Sequence, residues 1–188
     1  MNRFNKATNF IQRFSPLSIC IFGFLAIFFM NQTRGLCLGW SDLTIRLLPD
    51  SSFAMVEVDE NGKRYRRCPH YDANGGLDME QLIYVLGTFD REKWLYKKNK
   101  KAALRHLEKH YDKFKTKAIK KKLQTPLNIN KATLAELVIL PNIGPVLAVR
   151  ISEYRDTHSS FSAIDEIKKV DGIGIRTFNA IRHYIRVH

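Results

Sequence analysis

The sequence predicts a mainly helical chain in three parts. An apolar signal or anchor helix occupies residues 1–36, and a small α+β region over residues 41–122 ends in a basic helix. A pair of helix–tight turn–helix units then spans residues 127–188. Three observations carry this reading. A phrase is written twice at an offset of 30 residues, a lysine-rich run of helical composition precedes the first copy, and an uncharged apolar stretch stands near the start.

The repeated phrase is "LPNIGPVLAVRI" (Leu140–Ile151) and "VDGIGIRTFNAI" (Val170–Ile181). The offset also aligns Leu134 with Ile164, Glu136 with Glu166 and Tyr154 with Tyr184. Self-similarity of this depth marks a structural repeat. In the second copy Ile164, Ile167 and Val170 form a helical stripe, "GIG" interrupts it, and Ile175, Phe178, Ile181 and Ile185 resume it. Gly172 takes a left-handed backbone at little cost. Ile173 points inward and pins the turn. Gly174 has no Cβ, so another backbone can approach. In the first copy Asn142 replaces Gly172, and asparagine is the best non-glycine residue for positive φ. Ile143 and Gly144 repeat the rest of the turn, and Pro145 suits the first position of the next helix. The first N–H groups of a helix lack internal partners and carry the positive end of its dipole. A turn of this kind therefore offers phosphate oxygens a backbone contact without base readout. Arg176 adds a cation to the second turn, whereas Val146 stands in its place in the first, where Arg150 is the nearest cation.

Thirty-one Lys+Arg against 18 Asp+Glu give a net charge of +13, which favours a polyanionic partner, either nucleic acid or an anionic membrane surface. The charge is uneven. Residues 41–90 are acidic on balance, residues 127–188 carry eight basic and six acidic groups, and residues 91–122 carry fourteen basic and three acidic ones. Within that basic run Trp94, Leu104, Leu107, Tyr111 and Phe114 are spaced to share one apolar face of a helix, with lysine opposite. Such a face is either simply solvated or a non-specific phosphate-binding surface. Pro126 breaks the helix and marks the boundary with the repeat.

Upstream, Phe53–Cys68 reads as two strands around Asp59-Glu60-Asn61-Gly62, where Asn-Gly supplies positive φ. "DANGG" (Asp72–Gly76) is a second turn. It is not a calcium loop, because Leu77 and Ile83 stand where such a loop needs Gly and Glu. Leu77, Leu82, Ile83, Val85 and Leu86 predict a helix ended by Gly87 as its C-terminal glycine.

At the front, basic residues precede the uncharged stretch Phe14–Thr33, whose apolar centre is Leu17–Met30. This is the layout of a secretory signal. As a helix of about 1.5 Å per residue the longer stretch spans about 30 Å, so an uncleaved anchor in the membrane fits equally. Either way the basic flank predicts that the remainder of the chain is exported to the outer side of the cytoplasmic membrane, membrane-anchored or periplasmic.

No acid pair, nucleophile–base set or metal cluster appears, which points away from an enzyme, and no cofactor is expected. His106 and His110 stand at i and i+4, but without the glutamate of a zinc-protease motif they read as surface residues of the lysine helix. Cys37 and Cys68 either pair in an oxidising compartment or remain free thiols.

"LNINKATLAELVILPNIGPVLAVRISEYR" followed by "FSAIDEIKKVDGIGIRTFNAIRHYI" resembles the tandem helix-hairpin-helix domain of the ComEA-like competence DNA-uptake receptors. The resemblance covers about a third of the chain and leaves residues 41–125 unassigned. It implies sequence-independent contact of the hairpin turns with the backbone of double-stranded DNA, outside the cytoplasmic membrane, during uptake. The residues it implicates are Asn142, Ile143, Gly144, Gly172, Ile173, Gly174 and Arg176. Paired hairpins of this type also serve as protein-docking modules, so docking or scaffolding by envelope or uptake-machinery proteins stands as the alternative.

Overall fold

The computed structural model describes residues 39–119 and 125–188. The expected signal or anchor helix and Cys37 lie outside them, as do Lys120, Lys121 and Lys122. Among the described residues no helix is long and apolar enough to cross a membrane.

Helix α1 (Asp42–Leu47) starts at Ser41, whose hydroxyl accepts from the Thr44 N–H at 3.2 Å. Strands β1 (Phe53–Val58) and β2 (Arg64–Pro69) then pair antiparallel, with Phe53 opposite Pro69 and Glu57 opposite Tyr65. The Asn-Gly turn forms where expected. Gly62 has φ +78°, and the Asp59 carboxylate accepts from the N–H groups of Asn61 and Lys63, both at 2.9 Å. The Asp72 carboxylate closes the second turn in the same way, from Asn74 and Gly76 at 2.8 Å.

Helix α2 (Met79–Gly87) is capped by Asp78 and buries Leu82, Ile83 and Val85. Gly87 is its last residue but not a left-handed cap, which corrects the sequence reading. A Cβ there would stand 2.7 Å from the Pro145 carbonyl oxygen and 2.5 Å from Val149 Cγ2, so the glycine serves close helix packing. The lysine-rich helix α3 (Lys97–Ile119) is shorter than the run that predicted it. Leu107 and Tyr111 are buried on its inner face, and Leu104 and Phe114 are half-buried. Trp94 precedes the helix and packs on Phe89, with ring centroids 5.3 Å apart. The start of α3 is held by Glu57, a carboxylate only 1% exposed that accepts from Leu95 N, Tyr96 N, Asn99 Nδ2 and Arg67 Nε.

The repeat builds strand β3 (Leu127–Asn128), helices α4 (Leu134–Leu137), α5 (Pro145–His158) and α6 (Ile175–Ile181), and strand β4 (Ile185–Arg186), parallel to β3. The segment before the second turn, Ile164–Lys169, is a 3-10 helix, in keeping with the strict three-residue spacing of Ile164, Ile167 and Val170. The aligned glutamates do the same work in both copies. Glu136 accepts from Thr133 N at 2.9 Å, and Glu166 accepts from Ser162 N at 2.7 Å, each satisfying an orphan donor at a helix start. Asn130 explains the "LNINKAT" phrase: its amide donates to the carbonyls of Phe161 and Val187 and accepts from Phe161 N, which ties both ends of the domain together.

The regions on either side of Pro126 share one core. Leu82, Ile83 and Leu107 belong to the same buried cluster as Leu137, Val149, Ile151, Ile167 and Ile181. Each such side chain contributes roughly 1.5–3 kcal/mol by burial. The Glu80 carboxylate on α2 accepts from Leu134 N and Ala135 N at 2.8 and 3.0 Å, capping α4, and Arg91 makes a bidentate pair with Glu153 on α5. The described residues from Gly39 to His188 accordingly form one compact unit.

Candidate nucleic-acid interface

The two turns adopt the geometry their residues call for. Asn142 has φ +61° and Gly172 φ +89°. Ile143 and Ile173 are 2% and 3% exposed, and their N–H groups bond back to the carbonyls of Leu140 and Val170. These two isoleucines therefore fix the turns from inside and have neither side chain nor N–H left to offer outward. Gly144 and Gly174 come next with extended backbone, and each is the N-cap of its helix. A Cβ at either would meet nothing within 4 Å, so both helix starts face open space. The first helical bonds run from Ala148 N to Gly144 O and from Phe178 N to Gly174 O. The N–H groups ahead of them are free of helical partners, although Pro145 removes one donor from the first turn. With only seven residues in α6, these N–H groups count for more there than a macrodipole.

The cations divide. Arg176 is exposed at the mouth of the second turn. Arg150 instead crosses from the first unit to the second turn, where its guanidinium donates to the Asp171 carbonyl at 3.0 Å and lies 2.9 Å from the Asp171 carboxylate. It braces one hairpin against the other. Gly172 takes part in that brace, because a Cβ there would lie 2.8 Å from Leu147 Cδ2 and 3.0 Å from an Arg150 nitrogen. Lys168 and Lys169 sit in ion pairs with Asp165 and Glu166.

The missing charge of the first hairpin comes from elsewhere. Phe114 and Lys115 of α3 line a cleft of about 420 Å³ together with Val138, Ile139, Leu140, Pro141, Asn142 and Ile143. The helix thus meets the first turn at Phe114 and Lys115. Lys115 is exposed there, while Lys109 and Lys113 are exposed beside His106 and His110. Sequence spacing gave no sign of this neighbourhood, because it arises from the core shared across Pro126.

The fold also joins residues that spacing kept apart. His70, at the end of β2, packs against His106 and His110 of α3, and one ligand nitrogen of each lies within 4.8 Å of the others. His70 is fully buried. Burial pushes its imidazole down to about 4, against the opposing pull of its bond to the Cys68 carbonyl. Burial first, and neighbouring Lys109 next, holds His106 below the ordinary histidine range. His110 is held low by burial, then by His106, Lys113 and Lys109. The pair read as surface residues is therefore one side of a three-histidine cluster. Cys68 beside it is buried, and burial followed by the Glu92 carboxylate pushes its thiol up to about 12.

Comparison with known proteins agrees with this geometry. Residues 123–186 match the family model described as a helix-hairpin-helix motif. ComE operon protein 1 of Bacillus subtilis is 43% identical over 61 residues, covering 32% of this chain and 30% of that protein. Endonuclease/exonuclease/phosphatase family domain-containing protein 1 of Rattus norvegicus is 36% identical over 59 residues, 31% of this chain and 10% of that protein. Its Danio rerio counterpart is 39% identical over 59 residues, 31% of this chain and 11% of the relative. The matched stretch spans less than a third of each of these relatives. No solved structure matches the chain. The C-terminal third, with its two braced turns, matches the helix-hairpin-helix motif and over that stretch is similar to ComE operon protein 1.

Proposed function

We propose that this protein binds double-stranded DNA through the phosphate backbone, without sequence preference, outside the cytoplasmic membrane during DNA uptake. The observation that carries the reading is the pair of equivalent turns, left-handed at Asn142 and Gly172, each opening a helix at a glycine with free space before it. N–H donors at such starts take phosphate oxygens, and phosphate contacts position a duplex without reading its bases. Arg176 and the lysines of α3 supply the long-range attraction. The resemblance to a competence-operon protein supports a place in DNA uptake. The basic and then apolar order of residues 1–36 supports export.

Gly174→Glu and Gly144→Glu test the site. The open space at both positions predicts retained helicity and thermal stability, and the new carboxylate faces the phosphate. Duplex affinity should fall at least about tenfold for each, as expected when a phosphate contact is replaced by like-charge repulsion. Unchanged affinity in both folded variants removes the hairpins from the interface and moves the search to protein docking.

A further inference from the structure

We infer that His70, His106 and His110 form a binding site for a transition-metal dication of the zinc class, with their imidazole nitrogens as ligands. Three features of the cluster make it a built site. His70 is fully buried, and its Nδ1 lies 3.0 Å from the Cys68 carbonyl. A carbonyl only accepts, so Nδ1 carries the proton and Nε2 presents its lone pair. Fixing a ligand histidine by bonding its other nitrogen to a backbone carbonyl is the usual support of a metal site. That Nε2 lies 3.0 Å from Nε2 of His106. In a tetrahedral site with Zn–N bonds of about 2.0–2.1 Å, two ligand nitrogens stand about 3.3 Å apart. A small outward rotation of His106 opens the needed gap. His110 stands one helical turn on, its ring centroid 4.7 Å from that of His106, and its nitrogen completes the group within 4.8 Å. Residues at i and i+4 share a helix face, so the pair on α3 presents both rings to the end of β2.

The surroundings agree. Cys68 holds φ +55°, a left-handed value costly for a residue with a Cβ, and it sits where β2 must turn to deliver His70. Tyr71 Oη lies 3.3 Å from His110 Nε2 and orients that ring. Neutral imidazoles suit zinc, copper, nickel and cobalt rather than magnesium or calcium. Three protein ligands leave a fourth position for water or an anionic oxygen, and exposed His106 gives the cluster access to solvent. The ion would clasp the β1–β2 hairpin to the middle of the lysine helix.

The test uses the untagged full chain, stripped of metal and titrated with Co2+ and then Zn2+. The expected result is the visible ligand-field absorption of four-coordinate Co2+, saturating at about one ion per chain and displaced by Zn2+. A rise in Tm of roughly 5 °C should accompany Zn2+ at about 100 times Kd. His106→Gln and His110→Gln, whose side chains are not fully buried, should keep the helical signal and each lose on the order of 100-fold in affinity or more. His183→Gln should bind as the parent does. Absence of the Co2+ bands, or binding that survives both His106→Gln and His110→Gln, overturns the assignment.

Discussion

Gly172 and Gly174 stand two positions apart and behave oppositely. Gly172 has φ +89° and a crowded Cβ position, so Gly172→Ala should cost about 1–3 kcal/mol of stability. Gly174 has ordinary φ and free space, so Gly174→Ala should be neutral within about 0.5 kcal/mol in the same thermal melts. Equal losses at both would mean that the turn is not strained where its backbone says it is. Glu57 gives a prediction with a pH sign. Burial pushes its carboxyl up, but bonds from Leu95, Tyr96, Asn99 and Arg67 outweigh that and hold it below its ordinary value of 4.5. A lowered folded value means that the unfolded chain binds more protons in acid. The stabilisation is therefore complete above about pH 4.5 and fades as pH falls through the folded value. Glu57→Gln should cost about 2–4 kcal/mol at neutral pH, and the gap to the parent should narrow below about pH 4.5 in denaturant titrations. At this scale the sequence spoke clearly where backbone conformation selects the residue, as at Asn142, Gly172 and Gly62. It was silent where long-range packing does. Gly87 reads as a cap because it ends an apolar run, yet its reason is α5 passing within a Cβ's reach. His70 carries no local sign of its partners 36 and 40 residues away.

The lysine helix is the element whose role most needs measuring. Its inner face was legible from spacing, since Leu104, Leu107, Tyr111 and Phe114 recur at helical intervals and pack inward. Trp94 shared the rhythm by coincidence and belongs to the turn before the helix. The outer face is where solvation and DNA attraction part company. Lys109, Lys113 and Lys115 are exposed, and Lys115 borders the first hairpin, so replacing all three with Gln should leave circular dichroism unchanged. If they neutralise phosphates, the slope of log affinity against log salt should shrink by up to roughly 2–3. An unchanged slope would leave that face merely solvated.

Across the whole molecule the unexpected feature is the union of the two regions about Pro126. The helix-hairpin-helix part was readable because its motif is a chain of local requirements: a cap, a left-handed turn, a buried isoleucine and an open helix start. The region before it could not be read as its companion, because the joining contacts pair residues more than fifty positions apart, such as Glu80 with Leu134 and Arg91 with Glu153. Glu80→Ala should uncap α4 and lower stability by about 1–2 kcal/mol. Hydrogen exchange should then quicken on both sides of Pro126, whereas a change confined to residues 127–188 would mean that the two sides unfold separately.

DNA binding through the paired hairpins is the central claim, and its most direct measurement is fluorescence anisotropy on two unrelated duplexes with the protein spanning residues 39–188. Both duplexes should bind with similar affinity. With about four phosphates neutralised, binding should weaken on the order of 100-fold between about 50 and about 200 mM salt. No binding at the lower salt, or strong preference for one duplex, would contradict a backbone-reading interface.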